Sequence, residues 1–272
     1  MKDVKEITKK LEAGVRATFE SDGYKDFLSC MSKFYRYSAN NTLLIFMQCP
    51  SASLVAGFRK WETDFSRHVK KGEKAITILA PCPHKGKREV KNADGTTEEQ
   101  EYTYNTFRPV SVFDVSQTDG KPLPENPCKM LTGTVDGFAE TFERVKAFSP
   151  VPVAFEHIKD GANGYYHTTE KRIAIATGLS EEQTLKTAIH EIAHAILHNR
   201  ETGAEKNADR GTMEVQAESV AYTVCSYFGL DTSDYSFGYV AGWSKGKEAK
   251  ELSASMEVIR KTAKEIIDGI AA

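Results

Sequence analysis

His190-Glu191-Ile192-Ala193-His194 is the stretch whose reading decides the fold and the chemistry of this 272-residue chain. On a helix the two histidines stand four residues apart and share a face, so both imidazoles reach one metal ion. Glu191, one position past the first histidine, can hold a water at that ion. This is the donor spacing of a zinc hydrolase. The surrounding residues predict the helix: Leu185, Ala188, Ile189, Ile192, Ala193, Ile196 and Leu197 recur at i, i+3, i+4, i+7. Ser180 precedes the run and Gln183 follows three residues later, which predicts a capping box with Gln183 reaching back to the cap. Both histidines border the apolar stripe, where the helix meets a cleft.

A zinc site of this kind needs a third protein ligand and an open position. His198 repeats the four-residue step, but it stands eight residues from His190, roughly 12 Å along a helix rising about 1.5 Å per residue, too far for one ion. Arg200 occupies the place of the third histidine in a longer HExxHxxGxxH pattern. An acidic ligand fits better. After a polar loop at residues 200–211, Thr212 reads as an N-cap. Met213, Ala217, Val220, Ala221, Val224 and Phe228 then form a second helical stripe, stopped by Gly229. Glu214 and Glu218 share one face of that helix. Glu214 is assigned as third ligand, and Glu218 as the group that orients a ligand histidine through its free ring nitrogen. The reverse assignment stays open. Glu191 is assigned as general base. Tyr222 and Tyr166 lead the candidates for oxyanion stabiliser, with Tyr165 and His167 behind them. The segment Ile173-Ala-Ile175 reads either as an ordinary core strand or as an edge that binds an extended peptide above the metal.

Composition sets the wider frame. Hydrophobic residues make up 40% and charged residues 27%, which describes a soluble globular chain of one large or two modest domains. No apolar run approaches a membrane span, and the charged, amphipathic start lacks an apolar signal core, so a cytoplasmic protein is expected. Five scattered cysteines without a CxxC pair indicate neither a disulfide framework nor a thiolate zinc knuckle. Charge is unevenly distributed. Residues 31–91 hold 12 Lys and Arg against 4 acids, a net of +8 in a chain whose total is −2. That asymmetry suggests a polyanion-facing N-terminal half beside a separate acidic body.

The periodicity predicts helices around Val4 to Val15, Phe27 to Phe34 and residues 42–47, the last with Asn40 and Asn41 as cap or turn residues. Residues 75–80 and 107–115 read as strands, and Asp94-Gly95 in the charged segment between them is a hairpin-turn signal. Pro109 favours an edge. Residues 117–127, polar and with three prolines, read as a linker. A helix near residues 135–147, strands near 151–155 and 172–176, the two metal-site helices and a last amphipathic helix from Leu252 complete an α+β chain. The expected division is 1–118, a linker at 119–130, and 131–272 as a zincin-like domain. In the basic half, residues 57–74 interleave cations with Phe58, Trp61 and Phe65. Arg59, Lys60, Arg67, Lys70, Lys71 and Lys74 are candidates for phosphate contacts, and Trp61 for base stacking, a mixture that favours single-stranded over duplex DNA.

Tyr37-Ser-Ala-Asn-Asn-Thr-Leu-Leu-Ile45, Gln48-x-Pro50, Phe58-Arg-Lys-Trp61, Val69-Lys-Lys-Gly-Glu-Lys74 and Phe113-Asp-Val-Ser-Gln117 together resemble the N-terminal domain of ArdC-type antirestriction proteins. The second half, with His190 to His194 and Glu214-x-x-Ala-Glu218, is similar to their metallopeptidase-like domain and to ImmA/IrrE-type metallopeptidases. The resemblance implies a single-stranded-DNA-binding domain joined to a zinc-hydrolase-like domain. It also implies carriage on conjugative elements and protection of incoming DNA from restriction. The expected cofactor is one Zn2+ or another divalent transition metal. The expected partners are single-stranded DNA and a peptide substrate, without a membrane. Two competing functions remain: a regulatory zinc endopeptidase that cleaves a repressor, and a DNA-binding protein whose metal is purely structural.

Overall fold

Three amphipathic helices lead the chain in the computed structural model: α1 (Val4–Glu20), α2 (Gly23–Lys33) and α3 (Ala39–Gln48). The structure describes residues 4–20, 23–91, 97–123, 135–159, 161–201, 203–205 and 207–272. Ser38, rather than either asparagine, caps α3 by accepting from the Asn41 N–H. The strand-rich region follows, with β1 (Val55–Ala56), α4 (Phe58–Thr63), β2 (Arg67–Val69), β3 (Ile76–Lys91), β4 (Thr97–Asp114), a 3-10 turn (Val115–Gln117) and β5 (Thr118–Gly120). β4 lies between β1 and β3, all antiparallel, and β2 pairs with β5. Pro109 falls where only β3 flanks β4, because β1 reaches only Phe113 and Asp114, so its missing N–H interrupts no ladder on that side.

The linker expectation needs correction. Gln117 sits in the 3-10 turn and residues 118–120 are a paired strand; residues 124–134 lie outside the described part, as does the predicted turn at Asp94-Gly95. The charged excursion between the two predicted strands is also no loop. It extends both strands into a ribbon whose register runs unbroken from Ile76↔Val112 to Lys91↔Thr97.

The outer edge of β3 is closed by side chains. Asn41 Nδ2 donates to the Leu79 carbonyl and the Leu79 N–H donates to Asn41 Oδ1, both at 2.9 Å. Two helical turns further along α3, Gln48 makes the same pair of bonds with Thr77, also at 2.9 Å. Two amides on one helix face thus act as a surrogate strand and satisfy backbone groups whose burial unpaired is costly. At the end of β4 the buried Asp114 carboxylate accepts from the N–H groups of Ser53, Leu54 and Ser116. Gln117 completes a capping box and reaches on to the Lys74 carbonyl.

The C-terminal half contains α5 (Val135–Phe148), β6 (Val153–Glu156), β7 (Gly164–His167), β8 (Arg172–Ala176), α6 (Glu181–Leu197), α7 (Arg210–Phe228), α8 (Val240–Ser244) and α9 (Ala249–Ala271). β8 is the centre of its sheet, parallel to β6 and antiparallel to β7. Ile173-Ala-Ile175 is therefore a fully buried core strand with both neighbours in place, and the edge that faces α6 is β7. No helix among the described residues is long and apolar enough to cross a membrane.

One core joins the two halves. Ile7, Leu11, Val15, Phe19, Phe27, Leu28 and Leu43 from α1–α3 pack in the same cluster as Ile189, Ile192, Val220, Val224, Ile259 and Ile266 from α6, α7 and α9. Polar bonds reinforce it. The Tyr24 hydroxyl meets Ser219 Oγ at 2.8 Å between α2 and α7, and Arg260 on α9 donates to the Tyr35 carbonyl at 3.0 Å. The expected separate acidic body is thus not separate: its α7 and α9 are covered by the first three helices. A smaller cluster of Cys30, Phe34, Ile45, Val55, Ile76, Ile78 and Val112 seats the strand-rich region on α2 and α3.

Candidate metal centre

α6 begins at a Ser180 cap that accepts from the Gln183 N–H at 3.2 Å. The predicted box is half formed, because the Gln183 amide turns to Thr187 instead of back to the cap. α7 begins earlier than predicted. Asp209, not Thr212, is the N-cap, and it accepts from both the backbone N–H and the hydroxyl of Thr212. Gly229 ends α7 with φ 77°, a left-handed conformation that glycine adopts without steric cost.

The two helices pack side by side and bring three donors together. His190 Nε2 and His194 Nε2 are 3.1 Å apart, and Glu214 Oε2 lies 3.7 Å from the first and 3.8 Å from the second. Ligands roughly 2.1 Å from a tetrahedral ion stand roughly 3.4 Å from one another, so the set fits a single divalent cation. The electrostatics agree. Burial disfavours charge on His190, but its bonds to Glu214 and Glu218 outweigh that and push its pKa up to about 10. The Glu214 carboxyl is held far below the usual carboxylate range by bonds from His190 and His194. A centre that stabilises positive charge in this way is suited to a metal cation.

The remaining ring nitrogens are also held. Glu218 Oε2 accepts from His190 Nδ1 at 3.1 Å, which leaves Nε2 of that ring directed toward Glu214. His194 Nδ1 is 2.8 Å from His198 Nδ1, and His198 Nε2 is 3.1 Å from Oε1 of the buried Gln216. This chain fixes tautomers in sequence. His198 donates through Nε2 to the Gln216 oxygen, so its Nδ1 is an acceptor. His194 then donates through Nδ1 and keeps the lone pair of Nε2 for the metal position. Burial pushes the His198 pKa down to about 4, in keeping with a neutral ring. Sequence reasoning tested His198 only as a ligand. Its one-turn offset from His194 was the available signal for this supporting role.

Glu191 points from α6 into the cleft, buried and within reach of the Tyr166 N–H, and burial raises its carboxyl pKa. It lies between two cavities. The larger, about 510 Å³, is lined by Tyr165, Tyr166, His190, His194, Arg210 and Glu214 among others; the smaller, about 300 Å³, by Asn163, Gln183, Lys186, Glu218, Asp234 and Tyr235 among others. β7, which the sequence reading did not recognise, borders both through Gly164. A Cβ on Gly164 would stand 2.6 Å from Thr187 and 2.8 Å from the Ala174 carbonyl, so only glycine allows β7 this close to α6.

The oxyanion candidates separate. Tyr222 is buried against Tyr235 and Phe237 and lines neither cavity, so it is withdrawn. Tyr166 lines the larger cavity, and its hydroxyl accepts from Asn199 at 3.2 Å. Tyr165 donates to Glu156, and His167 Nδ1 accepts from the Glu170 N–H. Among the proposed DNA contacts, Trp61 is fully buried with its indole N–H on the Phe113 carbonyl at 3.0 Å, so it has no face to stack on a base. Arg67 is bonded to Thr118 and the Lys121 carbonyl, which holds β2 against β5, and Lys70, just past β2, is bonded to the Ser116 carbonyl of the 3-10 turn. Arg59, Lys60, Lys71 and Lys74 are exposed.

Comparison with known proteins places this architecture. Residues 3–113 match the family model described as the N-terminal domain of anti-restriction factor ArdC, and residues 149–264 match an IrrE N-terminal-like domain. An uncharacterized protein of Bacillus anthracis is 28% identical over 309 residues, covering 98% of this chain and 51% of its own length, so the chain spans about half of that curated relative. Among solved structures, the metal-free antirestriction ArdC protein from the R388 plasmid superposes with a TM-score of 0.56 at 19% identity, covering 86% of this chain and 85% of that one. Its Mn(II)-bound form gives 0.51 at 17% identity, covering 99% and 96%. Residues 3–113 thus carry an ArdC N-terminal domain and residues 149–264 an IrrE-like domain, joined in the fold of the R388 protein, which together support an ArdC-type protein.

Proposed function

We propose that this protein binds single-stranded DNA of a mobile element and protects it from restriction, and that its second half is a zinc-dependent peptidase. The observation that carries the peptidase reading is the convergence of His190, His194 and Glu214 beside a cleft-facing Glu191. When bound there, zinc would polarise a substrate carbonyl and lower the pKa of water. The protein residues supply the rest. An extended peptide would pair with the free edge of β7, which runs along the cleft. Glu191, held by the Tyr166 N–H, would take a proton from the attacking water and pass it to the leaving amine. The Tyr166 hydroxyl, which accepts from Asn199 and keeps its own proton to donate, would stabilise the developing oxyanion.

The DNA reading rests on the family match of the N-terminal half and on the exposed cations Arg59, Lys60, Lys71 and Lys74. Each phosphate they neutralise adds about 0.7 to the salt slope for single strands. The test uses the full chain loaded with zinc. Glu191→Gln is expected to keep the metal and the DNA affinity and to lose cleavage of a peptide library. Equal cleavage by both proteins would overturn the assignment of Glu191. Equal affinity for single strands and duplex would overturn the single-strand reading.

A further inference from the structure

We propose that one face of the β3–β4 ribbon is a base-stacking stripe for single-stranded DNA, formed by His84, Tyr104, Tyr102 and Arg88. This rests on the single-strand-binding reading above and gives it a surface, in place of the buried Trp61.

Strand alternation and register put Cys82, His84, Gly86 and Arg88 of β3 on the same face as Thr106, Tyr104, Tyr102 and Gln100 of β4. Four flat groups follow one another along that face. His84 is stacked against Tyr104 with ring centroids 5.4 Å apart, Tyr104 and Tyr102 are 5.8 Å apart, and the Arg88 guanidinium sits 5.7 Å from the Tyr102 centroid. Their orientations are fixed at both ends. His84 Nε2 is bonded to Thr106 Oγ1 at 2.7 Å, and Arg88 makes two bonds to Gln100 Oε1. Gly86 lies beneath Tyr102, where a Cβ would stand 3.0 Å from the ring, so glycine lets the tyrosine settle onto the ribbon.

These rings serve no core. Tyr102 is 40% and Tyr104 45% exposed, and His84 and Arg88 are exposed as well. The carboxylates are sorted between the two faces, while Lys85, Lys87 and Lys91 lie on the face away from the rings. Glu89, Glu99 and Glu101 fall on the opposite face, where Lys87 pairs with Glu99 at 2.8 Å; among the described ribbon residues the aromatic face carries only one carboxylate, Glu98, at the far end. Exposed π-faces flanked by a guanidinium and cleared of carboxylates suit an anionic polymer with unpaired bases. Stacking accepts any base, and duplex bases are already stacked on one another.

The experiment compares binding of the full chain to a thymidine oligonucleotide and to an abasic strand of equal length, which has the same phosphates and no bases. The wild-type chain is expected to prefer the base-bearing strand. The double variant Tyr102→Ala, Tyr104→Ala is expected to lose that preference by roughly tenfold or more, with abasic binding and the salt slope unchanged. Tyr102→Phe with Tyr104→Phe keeps the rings and should keep the preference, while Gly86→Val, which displaces the Tyr102 ring, should weaken it. If the alanine variant binds the thymidine strand as wild type does, or loses affinity for both strands equally, the stripe is refuted and single-strand binding stands. If the wild-type chain binds neither strand, both fall.

Discussion

In the N-terminal half the family-pattern residues Asn41, Gln48, Trp61 and Asp114 face the protein; in the C-terminal half the pattern residues His190, His194 and Glu214 face a common point between two helices. Asn41 and Gln48 direct both ends of their amides at the backbone of β3, and Asp114 gathers three N–H groups. Trp61 gives its single donor to Phe113. His190, His194 and Glu214 instead turn their free donor atoms toward each other, with Glu218, His198 and Gln216 holding them from behind. A specific sequence pattern thus identifies the family in both regions, but it reveals chemistry only where the fold leaves the donor atoms unconsumed.

The comparison can be broken at several points. The largest effect is expected at the metal centre: His190→Ala should reduce bound zinc from about one ion per chain to near zero by elemental analysis. Retention of the metal would mean that the convergent donors are not the site. Next comes the shared core. Phe27 is fully buried, and Phe27→Ala should cost about 3–5 kcal/mol in urea denaturation. The two tryptophans, Trp61 and Trp243, report on opposite halves. Followed separately in Trp61→Phe and Trp243→Phe backgrounds, both transitions should shift together. A shift seen by only one would show that the halves unfold independently.

A smaller effect separates holding residues from ligands. His198→Ala or Gln216→Leu should weaken zinc binding by roughly 10–100-fold in chelator competition, because His194 loses the partner that fixes its tautomer. Unchanged affinity would reduce the His198–Gln216 pair to packing. The smallest effect concerns the bracket at Asp114. Burial alone would raise its pKa, but the Ser116 hydroxyl and the N–H groups of Ser116, Ser53 and Leu54 outweigh that and lower it. A depressed carboxylate stabilises the fold fully above its unfolded pKa of about 3.9, and that stability fades as pH falls through the folded value. Asp114→Asn should therefore cost about 1–3 kcal/mol at neutral pH and flatten the loss of stability below about pH 4. An identical acid profile would remove the bracket from the account.

These differences explain what was legible in the sequence. Helical periodicity exposed α1, α2 and α9, because each buries one long stripe, and the spacing of apolar positions also exposed α6 and α7, although these are buried around most of their circumference. The HExxH spacing gave His190, Glu191 and His194 because helix geometry is local. β7 escaped notice because Gly164-Tyr-Tyr-His167 is short, with every residue only partly buried, and its place beside α6 depends on a single close approach at Gly164. The ribbon escaped because Pro81, Pro83, Gly86 and a run of charges argue against a strand, and only pairing with a distant segment overrides them. Trp61 was misread because aromatic residues among lysines have the same composition whether the ring faces solvent or core.

The cover that α1–α3 place over α7 and α9 changes how the chain can be cut. The family boundary suggests two modules in tandem, yet the first three helices complete the apolar floor of the second. The strand-rich region is, in effect, an insert between α3 and α5. Recombination that exchanged everything upstream of α5 would strip that floor from the metal helices, whereas exchange of the insert alone would leave it intact. Variation in what these proteins grip is therefore expected to enter through the insert.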